Sequence, residues 1–169
     1  MSNRFDLSSI RRQLLPKSRL DPDVALLDLA RIKLKLRNRT EGEGWPAEVC
    51  TLAEIEYRRF LTLKRLVVSL LIVPNRLMDK FWHFHILDTR NYHADCMVLF
   101  GKYLHHYPYF GMRGIKDREE LAKAFEITKS IYLEVFDQSM EESPSRAAVI
   151  LSKNKRIEKT LTDLAFYPD

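Results

Sequence analysis

The sequence predicts an all-α fold, a single compact domain of five to six helices arranged like a bundle. Three observations predict it. Apolar residues recur at three- and four-residue spacing in several separate segments, the period of a helix with one buried face. Glycine is scarce, at 5 of 169 residues, and proline is modest at 7, which disfavours a β fold built on many tight turns. No segment shows the strict alternation of a strand. The length suits one domain over residues 1–169 and is enough to bury a proper core.

Taken in order, residues 1–20 are polar and basic and are expected to form an arm or a short helix. Asp21-Pro22 reads as an N-cap followed by proline at the first helical position. Behind it Ala25, Leu29, Ile32 and Leu36 keep helical spacing, and Lys33, Lys35, Arg37 and Arg39 load the C-terminal turns with the cations a helix dipole favours. Residues 40–45 contain Gly42 and Gly44 and read as a loop. A second helix is expected from Pro46 to about Leu70. Its stripe is Val49, Ala53, Phe60, Leu63 and Val67, with Glu54, Glu56, Arg58 and Arg59 mostly off it. Pro74 breaks the chain, because the residue before a proline avoids the helical region. Asn75 is a candidate cap for a helix holding Leu77 to His85. Asp88 or Thr89 is a candidate cap for the next, with Tyr92, Cys96, Leu99 and Tyr103 as its stripe and an end near Leu104. Residues 107–114 form an aromatic loop containing glycine and proline. Asp117 with Glu120 resembles a capping arrangement. The helix behind it has the clearest pattern in the chain, through Leu121, Ala124, Phe125, Thr128, Ile131, Tyr132 and Val135. Ser143-Pro144 starts a last helix rich in lysine and arginine.

Composition narrows the function classes. Hydrophobic residues at 46% and charged residues at 30% describe a globular chain rather than a disordered one. The net charge of +5 is spread along the helices and interleaved with acidic residues, so it reads as solvated helix faces. No motif of a nucleic-acid-binding fold accompanies it. Cys50 and Cys96 stand in different contexts without a CxxC pattern, which argues against a disulfide framework and fits a reducing compartment. Residues 1–15 carry no apolar core of a signal peptide, and the longest apolar run, residues 66–73, is far too short to span a membrane. A cytoplasmic location without membrane contact is the expectation.

The chemistry concentrates between Asp79 and His106. All five histidines, His83, His85, His93, His105 and His106, lie there, together with Asp79, Asp88, Asp95 and Cys96. Imidazole, thiolate and carboxylate are the donors Zn²⁺ or Fe²⁺ would take. Asp79 and His83 are four residues apart and share a helix face. His83 and His85 are two apart, about 200° around a regular helix, and cannot reach one ion unless the backbone leaves the helix near Phe84. Otherwise one faces a site and the other makes a structural hydrogen bond. His105 and His106 lie where the next helix ends, so at least one could fold back. Asp79, His83, His85, Cys96 and His106 are therefore the candidate metal ligands, with Trp82, Tyr92, His93, His105 and Gly101 as pocket or structural residues. The bland reading of each alone is structural: a histidine among aromatics is usually a satisfied buried polar group, and a cysteine on an apolar stripe a small hydrophobe. No Walker loop, GxGxxG, HExxH or paired-carboxylate signature is present, and no catalytic residue can be assigned.

Val73-Pro74, the run Met78-Asp79-Lys80-Phe81-Trp82-His83-Phe84-His85-Ile86-Leu87, then Tyr92, Asp95-Cys96 and Gly101 together resemble the core of the glycine-rich domain-containing protein family. The resemblance covers residues 73–106 closely. It implies a shared site at Asp79, Trp82, His83, His85, Tyr92, Cys96 and Gly101. It implies no activity, and the glycine-rich region and further domains of the plant members have no counterpart here.

Three functional readings stand. The first is a small helical protein with a histidine-rich polar pocket that holds Zn or Fe. The second is a non-enzymatic interaction module whose histidines lock the scaffold and whose Tyr107-Pro108-Tyr109-Phe110 loop meets a protein partner, since exposed aromatics mark interfaces. The third and weakest is nucleic-acid binding through the basic helices.

Overall fold

Residues 20–153 are described by a computed structural model. Among them seven helices form, and no strand does: α1 (Pro22–Ala25), α2 (Ala30–Arg37), α3 (Ala47–Leu66), α4 (Arg76–Leu87), α5 (Thr89–Phe100), α6 (Ile115–Phe136) and α7 (Glu142–Lys153). The all-α expectation holds, with one more helix than the upper expectation. The basic N-terminal arm and the C-terminal tail lie outside the described residues.

The extra helix comes from a split. Asp21 caps α1, its carboxylate accepting from the N–H of Asp23 and Val24. The chain then turns instead of continuing. The Arg58 guanidinium donates to the carbonyls of Val24 and Leu27, drawing them out of an intrahelical ladder. The Asp28 carboxylate accepts from Ala30 N–H and opens α2. The periodicity of Ala25 to Leu36 is real, but its first part is a turn pinned by a side chain from α3.

Helix α3 is the axis of the fold. It buries Val49, Ala53, Tyr57, Phe60, Leu61 and Leu63, more than one stripe can hold, because α1, α2, α4 and α7 pack around it. Glu56, expected off the apolar stripe, is fully buried. Its carboxylate accepts from the Tyr132 hydroxyl at 2.7 Å, Ser143 Oγ at 3.0 Å and the Arg59 guanidinium at 3.1 Å. Asn75 Nδ2 stands 3.5 Å away. One carboxylate thus ties α3 to α6, to α7 and to the cap of α4. Burial pushes its pKa up even against these partners.

Helix α3 ends at Leu66, capped by Val67, rather than near Leu70, and two further helix ends differ from expectation for local reasons. Helix α5 stops at Phe100 because Gly101 takes a left-handed conformation, φ +65°, and closes the helix. Helix α6 begins two residues before Asp117. The Asp117 carboxylate instead turns back to accept from the N–H of Gly111 and Arg113, fastening the preceding loop. The basic side chains of the early helices are largely engaged within the molecule: Lys33 and Arg58 with Glu54, and Arg65 with Asp21 and Asp23. No helix among the described residues is long and apolar enough to cross a membrane.

Candidate metal centre

Helix α4 carries the site, and its start is well defined. The Asn75 side chain accepts from Met78 N–H, so the helix begins at Arg76 and runs unbroken through Leu87. With no departure at Phe84, His83 shares a face with Asp79, and His85 points elsewhere.

His83 Nδ1 lies 3.3 Å from Asp79 Oδ2. The segment after α5 then returns to the same spot. His106 Nε2 lies 2.9 Å from Asp79 Oδ1, and the His83 and His106 rings stand 4.5 Å apart between centroids. One donor atom from each of Asp79, His83 and His106 falls within 4.8 Å of the others, which makes these three a group able to hold a metal ion. The return is held from inside. The Trp82 indole N–H donates to the Tyr92 hydroxyl at 2.8 Å, and that hydroxyl donates to the Leu104 carbonyl. The edge of Trp82 also meets the His106 ring at 4.6 Å. Trp82 and Tyr92 are buried, so this chain of contacts fixes where residues 104–106 lie.

His85 is turned into the core, 2% exposed. Its Nδ1 is 3.0 Å from the Tyr57 hydroxyl and its Nε2 is 3.0 Å from Asp95 Oδ2. The carboxylate can only accept, so Nε2 donates to Asp95 and Nδ1 accepts from Tyr57. Both ring nitrogens face protein partners inside the core, and among the described residues His85 belongs to no group of three donor side chains that converge. Burial holds the His85 pKa below the ordinary histidine range, although Asp95 pulls the other way. Cys96 also stands apart from the three-residue group. It is buried beside Tyr92 and Leu104, and burial raises the pKa of its thiol, the state of an inert core cysteine. His93 is exposed, its ring 6.3 Å from Tyr103, and His105 is exposed with its ring 4.9 Å from Tyr103. Gly101 closes α5 and touches no ligand group.

A cleft of about 330 Å³ opens beside the group, with Asp79, Trp82, His105 and His106 in its lining. The segment Leu71 to Pro74, the loop after Leu104 and Leu121 of α6 supply the rest, with Lys64 of α3 and Arg113 at the polar side. Lys64 and Tyr57 carry no mark in the sequence as site residues. Tyr57 meets His85 across 28 positions, and no local pattern announces such a pairing. Lys64 sits in the last turn of α3, where a lysine is ordinary.

No curated protein and no solved structure matches the chain. Residues 31–149 match the UCP032817-like family, a span that takes in every helix from α2 to α6, the Asp79, His83 and His106 group and most of α7. By that match the chain belongs to the UCP032817-like family.

Proposed function

We propose that Asp79, His83 and His106 bind one transition-metal ion, Zn²⁺ or Fe²⁺, beside a cleft that admits a small molecule. One observation carries the reading: three donors from two separated segments converge on one point, with both histidine nitrogens turned to the same carboxylate. Two imidazoles and one carboxylate suit either ion. They form the three-protein-ligand set of open zinc sites and the facial set of non-haem iron sites. In a tetrahedral site with bonds near 2.0–2.1 Å, donors stand about 3.3 Å apart, close to the spacing of His83 and Asp79. Such an ion would supply Lewis acidity at its open position.

The donor side chains keep between 16% and 45% of their surface exposed, so an ion could enter without unfolding the domain. The unpaired cysteines fit a reducing compartment such as the cytoplasm. The Asp79, Trp82, His83, His85, Tyr92, Cys96 and Gly101 pattern is what supports kinship with glycine-rich domain-containing proteins. The test is elemental analysis of untagged protein, before and after loading with Zn²⁺ or anaerobic Fe²⁺. The reading expects one equivalent in the wild type and less than about a tenth in His106→Ala. Failure of the wild type to retain either ion after loading ends it.

A second reading, a docking module, has one observation in its favour: Tyr107 and Tyr109, two positions apart on the loop with rings 5.7 Å apart, are 54% and 59% exposed. It predicts that Tyr107→Ser with Tyr109→Ser abolishes a protein interaction while metal content is unchanged. Loss of metal in that variant would count against a separate docking role.

A further inference from the structure

One cation of the cleft beside Asp79 and His106 stands without a counter-charge among the described residues. The Asp79 carboxylate is committed to His83 and His106. Lys64 reaches the lining from the last turn of α3, and among the described residues no carboxylate pairs with it. Its ammonium stands 5.9 Å from the Phe60 ring and is half-buried. A cation drawn from water without a counter-charge is costly, and an anion brought beside it relieves that cost. Arg113, on the same lining, is aligned by Asp117 at 2.6 Å and lies over the Tyr107 ring at 5.4 Å, so its orientation is fixed in advance. The other side of the cleft is apolar, through Ile72, Val73, Pro74 and Leu121. A volume of about 330 Å³ is room for roughly eleven water-sized groups at about 30 Å³ each.

We infer that the cleft binds a small organic oxyanion, a carboxylate or phosphate head against Lys64 with a compact apolar body on the Ile72–Leu121 side. Bound so, the ligand lies alongside Asp79 and His106. As the substrate class of the metal site it rests on the function proposed above, whereas as a binding site it stands on the cleft and its cations. Lys64 and Arg113 set specificity by charge; Lys64, the half-buried one, contributes most.

The experiment uses the full chain, stripped with EDTA and separately loaded with Zn²⁺, titrated with phenyl phosphate, benzoate and neutral phenol by calorimetry and ¹⁵N NMR. Saturable one-to-one binding of at least one anion is expected in the stripped protein, with phenol at least tenfold weaker. Amide shifts should concentrate at Ile72, His105 and Leu121. Comparing the two anions tells a carboxylate head from a phosphate. Lys64→Gln should weaken binding at least tenfold, Lys64→Arg should retain it, and Lys123→Gln on the exposed face of α6 should leave it unchanged. Non-saturable binding, shifts scattered over surface lysines, or equal effects of Lys64→Gln and Lys123→Gln overturn the inference. The shift map on the wild type decides the matter even if Lys64→Gln does not fold. Anion binding that depends on Lys64 in a protein that holds no metal would sink the metal reading alone. Metal loading without anion binding would sink this one alone.

Discussion

His83 and His85 are two residues apart and differ in role, and paired alanine substitutions separate those roles. His85→Ala deletes a ring that sits between Tyr57 and Tyr92, at centroid distances of 5.7 and 5.0 Å. It leaves the Tyr57 hydroxyl, in a side chain with no exposure, without its partner. An orphaned buried hydroxyl costs about 1–3 kcal/mol. The void left by the ring adds about 2 kcal/mol, the low end for large-to-small core changes. Asp95 is partly exposed and regains water, so it adds little. The sum is about 3–5 kcal/mol, and at about 2–4 °C per kcal/mol for a chain of this size the melting temperature falls by about 6–20 °C. His83→Ala removes a ring that is 45% exposed and whose ion pair with Asp79 is open to solvent. Such pairs are worth at most about 1 kcal/mol, so metal-free protein should melt within about 4 °C of the wild type. Calorimetry or circular dichroism on EDTA-treated protein reads both. Equal losses in the two variants, or a larger loss in His83→Ala, would refute the assignment of His85 to the core and His83 to the site.

Other outcomes follow from the same contacts. Tyr92→Phe removes the hydroxyl that links Trp82 to the Leu104 carbonyl, so His106 is held less firmly; metal affinity should fall about tenfold, read by competition with a chromophoric chelator, while Asp79→Asn loses far more. Gly101→Ala has open space for its new methyl but must hold φ +65°, so it should cost about 1 kcal/mol by chemical denaturation, and an unchanged midpoint would show that α5 ends by other means. Glu56 gives a pH signature. Its folded pKa is raised, so its contribution is fully present below about pH 4.3, the ordinary value, and is lost as pH rises through the folded pKa. The stability of Glu56→Gln relative to wild type should therefore improve as pH rises from about 4 towards neutrality, and a relative stability that stays flat or falls over that range would contradict the raised value.

Much of the fold was legible in local chemistry. Asn75 caps α4 as its place after Pro74 suggested, and the Thr128, Ile131, Tyr132 and Val135 face of α6 is buried as its spacing required. The two-residue spacing on α4 was legible too, since an unbroken helix sends His83 and His85 to different targets. What could not be read was set by partners distant in sequence. The split of the first helix depends on Arg58, 34 residues from Val24. The burial of Glu56 depends on Tyr132 and Ser143, 76 and 87 residues away. The return of His106 to Asp79 spans 27 residues and depends on the tether at Leu104, and the helix end alone does not choose between His105 and His106. Cys96 illustrates the opposite case: its donor type invited ligation, and its buried place on α5 is that of the small hydrophobe its stripe implied.

The central claim, that Asp79, His83 and His106 hold one ion together, is tested most directly by titrating the stripped protein with Co²⁺ and following its visible d–d absorption. Bands that saturate at one equivalent in the wild type and in His93→Ala, and that are absent in Asp79→Asn, His83→Ala and His106→Ala, are the predicted result. Bands that persist in the three ligand variants, or a wild type that gives none beyond aqueous Co²⁺, would contradict it.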